Sequence, residues 1–174
     1  TKTAMITIAG RPNVGKSTLT NHLVGEKIAI VSNKPQTTRN RICGIVTKGE
    51  TQFVFVDTPG FHKPRTKLGD YMVNVTKESI ADVDATVLVV EPIASIGPQE
   101  EGLIDKIKGS KCPAILAINK IDTVEKEQLL EIIAIYSATE TFDAIIPICA
   151  KTGDGVDLLL QQCERYAQES CFLF

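Results

Sequence analysis

Apolar positions along the chain fall into two kinds of run. Ala4 to Ala9, Thr86 to Val90, Ala114 to Ile118 and Ile145 to Ile148 are short and nearly unbroken, the pattern of strands buried on both faces. The stretches between and after them carry apolar residues at helical spacing: Thr18 to Val24, Lys67 to Ala81 (Leu68, Tyr71, Met72, Val75, Ile80), Pro98 to Lys108, Glu125 to Tyr136 and Val156 to Gln168. Ile42 to Thr47 and Phe53 to Val56 flank a turn at Gly49 and predict a hairpin, the one place where neighbouring strands run antiparallel. A short apolar stretch, Ile28 to Val31, leads into the polar, Pro-broken segment Ser32 to Arg41, which reads as a loop. Alternating strands and helices of these lengths imply right-handed crossovers. The predicted fold is α/β, with a mostly parallel six-stranded sheet, one antiparallel strand and helices on both faces. Ligands of such sheets bind at the carboxyl ends of the strands, so chemistry is expected just after each strand.

Composition narrows this picture. A chain of 174 residues, 43% hydrophobic, fills one core and is short for two typical domains. It has no apolar run long enough to span a bilayer and no basic-then-apolar leader, so a soluble, cytoplasmic protein is expected. The five cysteines (Cys43, Cys112, Cys149, Cys163, Cys171) are odd in number and form no C-x-x-C pair, which suits reduced, core-filling thiols better than a disulfide or metal framework. A net charge of −2 gives no global attraction to nucleic acid.

The first strand is followed by Gly10-Arg11-Pro12-Asn13-Val14-Gly15-Lys16-Ser17, which fits GxxxxGK[ST] in the required strand, loop, helix context. Glycines let successive amides curl inward, and the helix N-terminus behind them adds partial positive charge, so a polyphosphate is held mainly by main chain. Lys16 would reach the β- and γ-phosphates, and Ser17 would place its hydroxyl on a magnesium ion bridging them. These features identify the fold as a P-loop NTPase three-layer sandwich. The bland alternative is a Gly-rich turn with a chance Lys-Ser. Asp57-Thr58-Pro59-Gly60 ends another strand. Asp57 could hold the magnesium through a water and the Gly60 amide could meet a γ-phosphate; alone, it would be an ordinary Pro-Gly turn. Asn119-Lys120-Ile121-Asp122 follows a third. A carboxylate placed edge-on to a purine accepts from guanine N1–H and N2–H₂, groups that adenine lacks, while the Lys120 stem lies over the base and Asn119 ties this loop to the phosphate loop.

Together, GRPNVGKS, KPQTTR (Lys34 to Arg39), DTPGFH (Asp57 to His62), NKID and Cys149-Ala150-Lys151 resemble the GTPase domain of the Era family, bacterial ribosome-assembly GTPases of the translation-factor-related class. The resemblance runs from about Met5 to Tyr166. It implies GTP and GDP as ligands, bound by Asn13, Val14, Gly15, Lys16, Ser17, Thr18, Asn119, Lys120, Asp122, Cys149, Ala150 and Lys151, with the Ala150 amide donating to guanine O6. It also implies Mg²⁺ on Ser17, Thr38 and Asp57, with Thr37 the second choice to Thr38 as switch threonine, and a catalytic set of Lys16, Thr38, Gly60 and Asn13. Ser32 to Arg41 and Phe61 to about Ser79 would be the two switch segments.

Two departures matter. Cys149 stands where serine is common, and a thiol donates weakly. Phe61 follows Gly60 and cannot orient the attacking water as a glutamine would, so hydrolysis is expected to be slow without a partner. By resemblance Asn13 either helps coordinate K⁺ where an arginine finger acts elsewhere or only shapes the loop. His62 is a candidate base, though a lone loop histidine is more often a surface residue. The expected protein is a GTP-hydrolysing switch; the alternative is a GTP/GDP-gated binding module with negligible hydrolysis of its own, and a P-loop nucleotide kinase is a distant third. Lys34, Arg39, Arg41, Lys63, Arg65 and Lys67 form a basic cluster that could meet RNA in one nucleotide state, or be solvated loop charge. The domain organisation expected is an Era-type G domain over residues 1–170, with 171–174 starting the junction to a missing C-terminal KH domain. Through that domain the resemblance implies contact with the small ribosomal subunit and 16S rRNA, and for the full-length protein peripheral membrane contact. The isolated domain is expected to be a monomer.

Overall fold

The computed structural model describes residues 1–11, 14–24, 41–57, 83–110 and 112–169. In chain order they form β1 (Lys2–Gly10), α1 (Lys16–Val24), β2 (Arg41–Lys48), β3 (Thr51–Asp57), β4 (Ala85–Val90), α2 (Pro98–Ser110), β5 (Ala114–Ile118), a 3₁₀ turn (Ile121–Thr123), α3 (Lys126–Ser137), β6 (Ala144–Pro147), α4 (Val156–Glu164) and β7 (Gln168–Glu169). The sheet order is β2-β3-β1-β4-β5-β6. All neighbours from β3 to β6 are parallel, and β2 pairs antiparallel with β3 across the tight turn at Gly49. The predicted hairpin and parallel sheet are therefore both present.

Every residue of β4 and β5 is buried, because helices cover both faces of the sheet. Side chains alternate between the two layers. Val87 and Val89 join Leu19 and Leu23 of α1 and Val156, Leu159, Leu160 and Cys163 of α4 in one cluster. Leu88 and Val90 join Leu103, Ile104 and Ile107 of α2 and Ile132 and Tyr136 of α3 in the other. The buried positions of α4 fall at i, i+3, i+4 and i+7, a single stripe of an amphipathic helix. Helix α3 begins at a capping box in which Glu125 and Gln128 exchange side-chain and backbone hydrogen bonds.

One expectation is corrected. The last helix, predicted to run to Gln168, ends at Glu164. The next N–H groups bond three residues back, Arg165 to Gln162, Tyr166 to Cys163 and Ala167 to Glu164, which tightens the turn and releases the chain. Gln168 and Glu169 then pair antiparallel with Thr3 and Lys2. That edge is open because β4 meets β1 only from Ile6 onward. The sheet thus gains a short strand beyond the predicted six. Ile28 to Val31, the loop after it up to Asn40, the predicted helix Lys67 to Ala81 and residues 171–174 lie outside the described residues.

Candidate functional site

Parallel pairing puts the carboxyl ends of β1, β3, β4 and β5 on one edge of the sheet. The register sets Ile8 beside Asp57, Gly10 beside Val89 and Val90 beside Ile118. Gly10, Asp57 and Ile118, where these strands end, therefore lie along the same edge of the sheet.

Two glycines are required where the chain turns from β1 into α1. A Cβ on Gly10 would lie 2.7 Å from the Val89 carbonyl oxygen, so the backbone there sits hard against β4. Gly15 has φ +101, and a Cβ on it would collide with the side-chain amide of Asn119. Helix α1 follows at once, its Leu19 N–H donating to the Gly15 carbonyl at 2.9 Å. Lys16 is half-buried at the first turn, and Ser17 and Thr18 are exposed beside it. A helix N-terminus directly after a tight glycine turn, with a lysine and a hydroxyl in its first turn, is suited to a phosphate and its counter-ion.

Asn119 is the tie between loops. It is 3% exposed and uses both ends of its amide: Nδ2 donates to the Val14 carbonyl at 2.8 Å, and Oδ1 accepts from the Ala150 N–H at 2.9 Å. Its own N–H donates to the Val90 carbonyl at 2.9 Å. The Ala150 amide, expected to donate to guanine O6, thus already has a partner, and an O6 contact from it would be shared. Lys120 adopts a left-handed backbone conformation, φ 61, and its Nζ lies 3.3 Å from Glu91 Oε2. The Thr123 hydroxyl caps the Lys120 carbonyl at 2.6 Å. Asp122 is exposed on the 3₁₀ turn, and its Oδ1 accepts from the buried Cys149 thiol at 3.5 Å. Lys151 is exposed on the same loop.

The structure therefore brings together Val14, Gly15, Lys16, Ser17, Thr18, Asn119, Lys120, Asp122, Cys149, Ala150 and Lys151, with Asp57 at the end of the adjacent strand β3. Asn13, Thr38, Gly60, Phe61 and His62 lie outside the described residues, as do the basic residues of the two switch segments apart from Arg41, the first residue of β2.

Sequence reasoning passed over two acidic residues. Glu91 follows β4 directly and holds the Lys120 ammonium. Glu100, in the first turn of α2, takes the Arg11 guanidinium at 3.2 Å although 89 positions separate them. Position after a strand could have flagged Glu91. Nothing in the sequence pairs Arg11 with Glu100. Behind them lies the Tyr136 hydroxyl, pushed up to about 12 first by burial and then by the charge of Glu100, with Arg11 acting the other way.

A model of the family described as "50S ribosome-binding GTPase" matches residues 5–120. The chain is 50% identical over 168 residues to GTPase Era of Ruminiclostridium cellulolyticum, covering 97% of this chain and 56% of that protein. It is 46% identical over 169 residues to GTPase Era of Clostridioides difficile, with 97% and 57% covered. Among solved structures it is similar to Era in complex with MgGDPNP and nucleotides 1506–1542 of 16S ribosomal RNA, with a TM-score of 0.83 and 35% identity over 99% of this chain and 59% of the other. A variant of Aquifex aeolicus Era bound to GDP and AlF₄⁻ gives the same TM-score and identity over 100% and 60%. The chain thus spans little more than half the length of the relatives it matches.

Proposed function

The chain belongs to the 50S ribosome-binding GTPase family, and from that premise we propose that it is the G domain, residues 1–170, of an Era-type ribosome-assembly GTPase. In this reading it binds GTP and GDP and hydrolyses GTP with water to GDP and phosphate. The observation that carries the proposal is the Asn119 amide bridging Val14 and Ala150, because it locks a phosphate cradle to a base-reading loop at one fixed spacing.

The residues divide the work by chemistry. The amides from Asn13 to Thr18 and the Lys16 ammonium take the β- and γ-phosphates. Mg²⁺, held by Ser17 with Asp57 and Thr38, would neutralise charge on those phosphates when bound. The donor set fits, since a P-loop magnesium takes most of its oxygens from nucleotide and water. Asp122 accepts from guanine N1–H and N2–H₂, oriented by the Cys149 thiol. The Lys120 stem lies over the base while Glu91 holds its charged end. Gly60 would donate toward the γ-phosphate, and Asn13 would help hold a K⁺ ion if one is used, its other role being to shape the loop. Because Phe61 offers no hydrogen bond to the attacking water, intrinsic turnover is slow, and a gated binding module that hydrolyses only with a partner is the second reading. The relatives' remaining length is where we place a KH domain for 16S rRNA of the small subunit; membrane contact would likewise belong to the full-length protein, and this domain acts as a cytoplasmic monomer. Among the described residues no helix is long and apolar enough to cross a membrane.

Titration of guanine and xanthine nucleotides, followed by single-turnover hydrolysis in K⁺ and in Na⁺, tests this. GDP should bind in preference to ADP. Asp122→Asn should weaken GDP by about a hundredfold and favour XDP, because the amide donates where the carboxylate accepts. Turnover should be faster in K⁺, and Asn13→Ala should erase that difference. Equal binding of ADP and GDP defeats the reading; equal rates in the two salts defeat only the K⁺ assignment.

A further inference from the structure

We infer that Arg11 and Glu100 form a positioning pair that sets the first residues of the phosphate loop against helix α2, so that nucleotide affinity depends on an ion pair remote from the nucleotide. The inference rests on the guanine-nucleotide reading above and adds a residue pair to it.

The loop must hold its amides to within about half an ångström of the phosphate oxygens, which requires that both of its arms be fixed. The C-terminal arm is fixed by Asn119, through Val14 and through the close approach to Gly15. The N-terminal arm leaves β1 at Gly10, already pressed against the Val89 carbonyl, and its next residue reaches across to Glu100 Oε1 at 3.2 Å. Arg11 is thus the side chain that fastens this arm to another element.

The state of Glu100 makes the contact more than a surface ion pair. The residue is 8% exposed, and a carboxylate at that depth is costly to bury without a cation beside it. Its second oxygen, Oε2, is buried without a hydrogen-bond partner, the one such side-chain atom among the described residues. Gly97 leaves room for it: a Cβ there would lie 3.0 Å from Oε2. With Oε2 buried and unbonded, the carboxylate relies on the Arg11 contact at Oε1, so a displaced Arg11 is penalised and the loop arm is held in place. By reciprocity, whatever fixes the loop also steadies the first turn of α2.

The experiment titrates Mg-GDP into the full chain as wild type, Arg11→Ala, Arg11→Lys, Glu100→Gln and the Arg11→Ala/Glu100→Gln double variant, with thermal unfolding of each in the absence of nucleotide. Arg11→Ala should weaken GDP about tenfold, equivalent to about 1.4 kcal/mol, and Glu100→Gln about fivefold. The double variant should bind no more weakly than Arg11→Ala alone, since both changes break one contact. Arg11→Lys should stay within about threefold of wild type, because the observed contact needs one nitrogen. A purely structural pair would lower the melting temperature and leave GDP affinity within twofold, and that result overturns the inference. So do losses that multiply in the double variant. Should Arg11→Ala fail to fold, Glu100→Gln and Arg11→Lys decide: a folded Glu100→Gln that binds GDP like wild type overturns the pair. A wild-type chain that ignores GDP overturns the guanine-nucleotide reading as well, whereas a binding wild type with unaltered variants overturns the pair alone.

Discussion

At the scale of single residues, the Cys149 thiol is the weakest donor in the base-reading loop. It is 3% exposed and sits 3.5 Å from Oδ1 of the exposed Asp122. A hydroxyl in the same place would donate at shorter range and more strongly. Cys149→Ser should therefore tighten GDP about threefold and leave the preference for guanine over adenine unchanged, both read from competition binding. Binding no tighter than wild type would mean that the thiol does not limit Asp122. Cys149, Asp122 and Asn119 were legible in the sequence because each stands next to a strand end in a short motif with its own chemistry. Glu100 was not, because an ion pair across 89 positions leaves no local signal. Cys149 was also legible as a departure from the usual serine, and its hydrogen bond to Asp122 gives that departure a geometry.

At the scale of elements, helix α4 carries the thiol of Cys163 into the core, where burial pushes it up to about 12 from an ordinary 9.0. The folded state keeps this proton more tightly than the unfolded chain. The associated stability is complete below pH 9 and is lost as the pH climbs from 9 toward 12, at about 1.4 kcal/mol per pH unit for one such group. Tyr136 adds a loss of the same sign from about pH 10. Urea unfolding at pH 8 and pH 10 should show stability falling, and Cys163→Ala, though less stable at pH 8 because it opens a small cavity, should fall less. An unaltered fall in the variant would place the alkaline loss elsewhere. The stripe of α4 was readable in sequence because its burial repeats at helical spacing. Its end was not. Tyr166 and Ala167 continue the helical spacing and still pack on the same cluster, so the pattern overruns the helix; what ends it is the open edge of β1, a tertiary feature that overrides local propensity.

At the scale of the whole molecule, the mostly parallel sheet was legible because unbroken apolar strands separated by helices imply parallel crossovers, and a parallel sheet gathers its strand ends on one edge; the order of the strands was not. Proximity alone does not hold that edge together. Asn119 does, joining β4, the phosphate loop and the loop after β6 through three hydrogen bonds. Asn119→Ala would leave the Val14 carbonyl and the Ala150 N–H without that partner, on residues each 1% exposed, at a combined cost of about 2–4 kcal/mol. The same change should uncouple nucleotide from stability. At a GDP concentration a hundred times its dissociation constant, the wild type should gain about 2.7 kcal/mol of unfolding free energy by mass action. If Asn119→Ala weakens GDP about thirtyfold, the gain at that concentration shrinks to under about 1 kcal/mol. Differential scanning calorimetry with and without Mg-GDP measures both effects on one sample. A variant that is less stable yet keeps the full nucleotide increment would mean that Asn119 braces the fold without registering the phosphate cradle to the base-reading loop. The two loops would then find their spacing from the sheet alone.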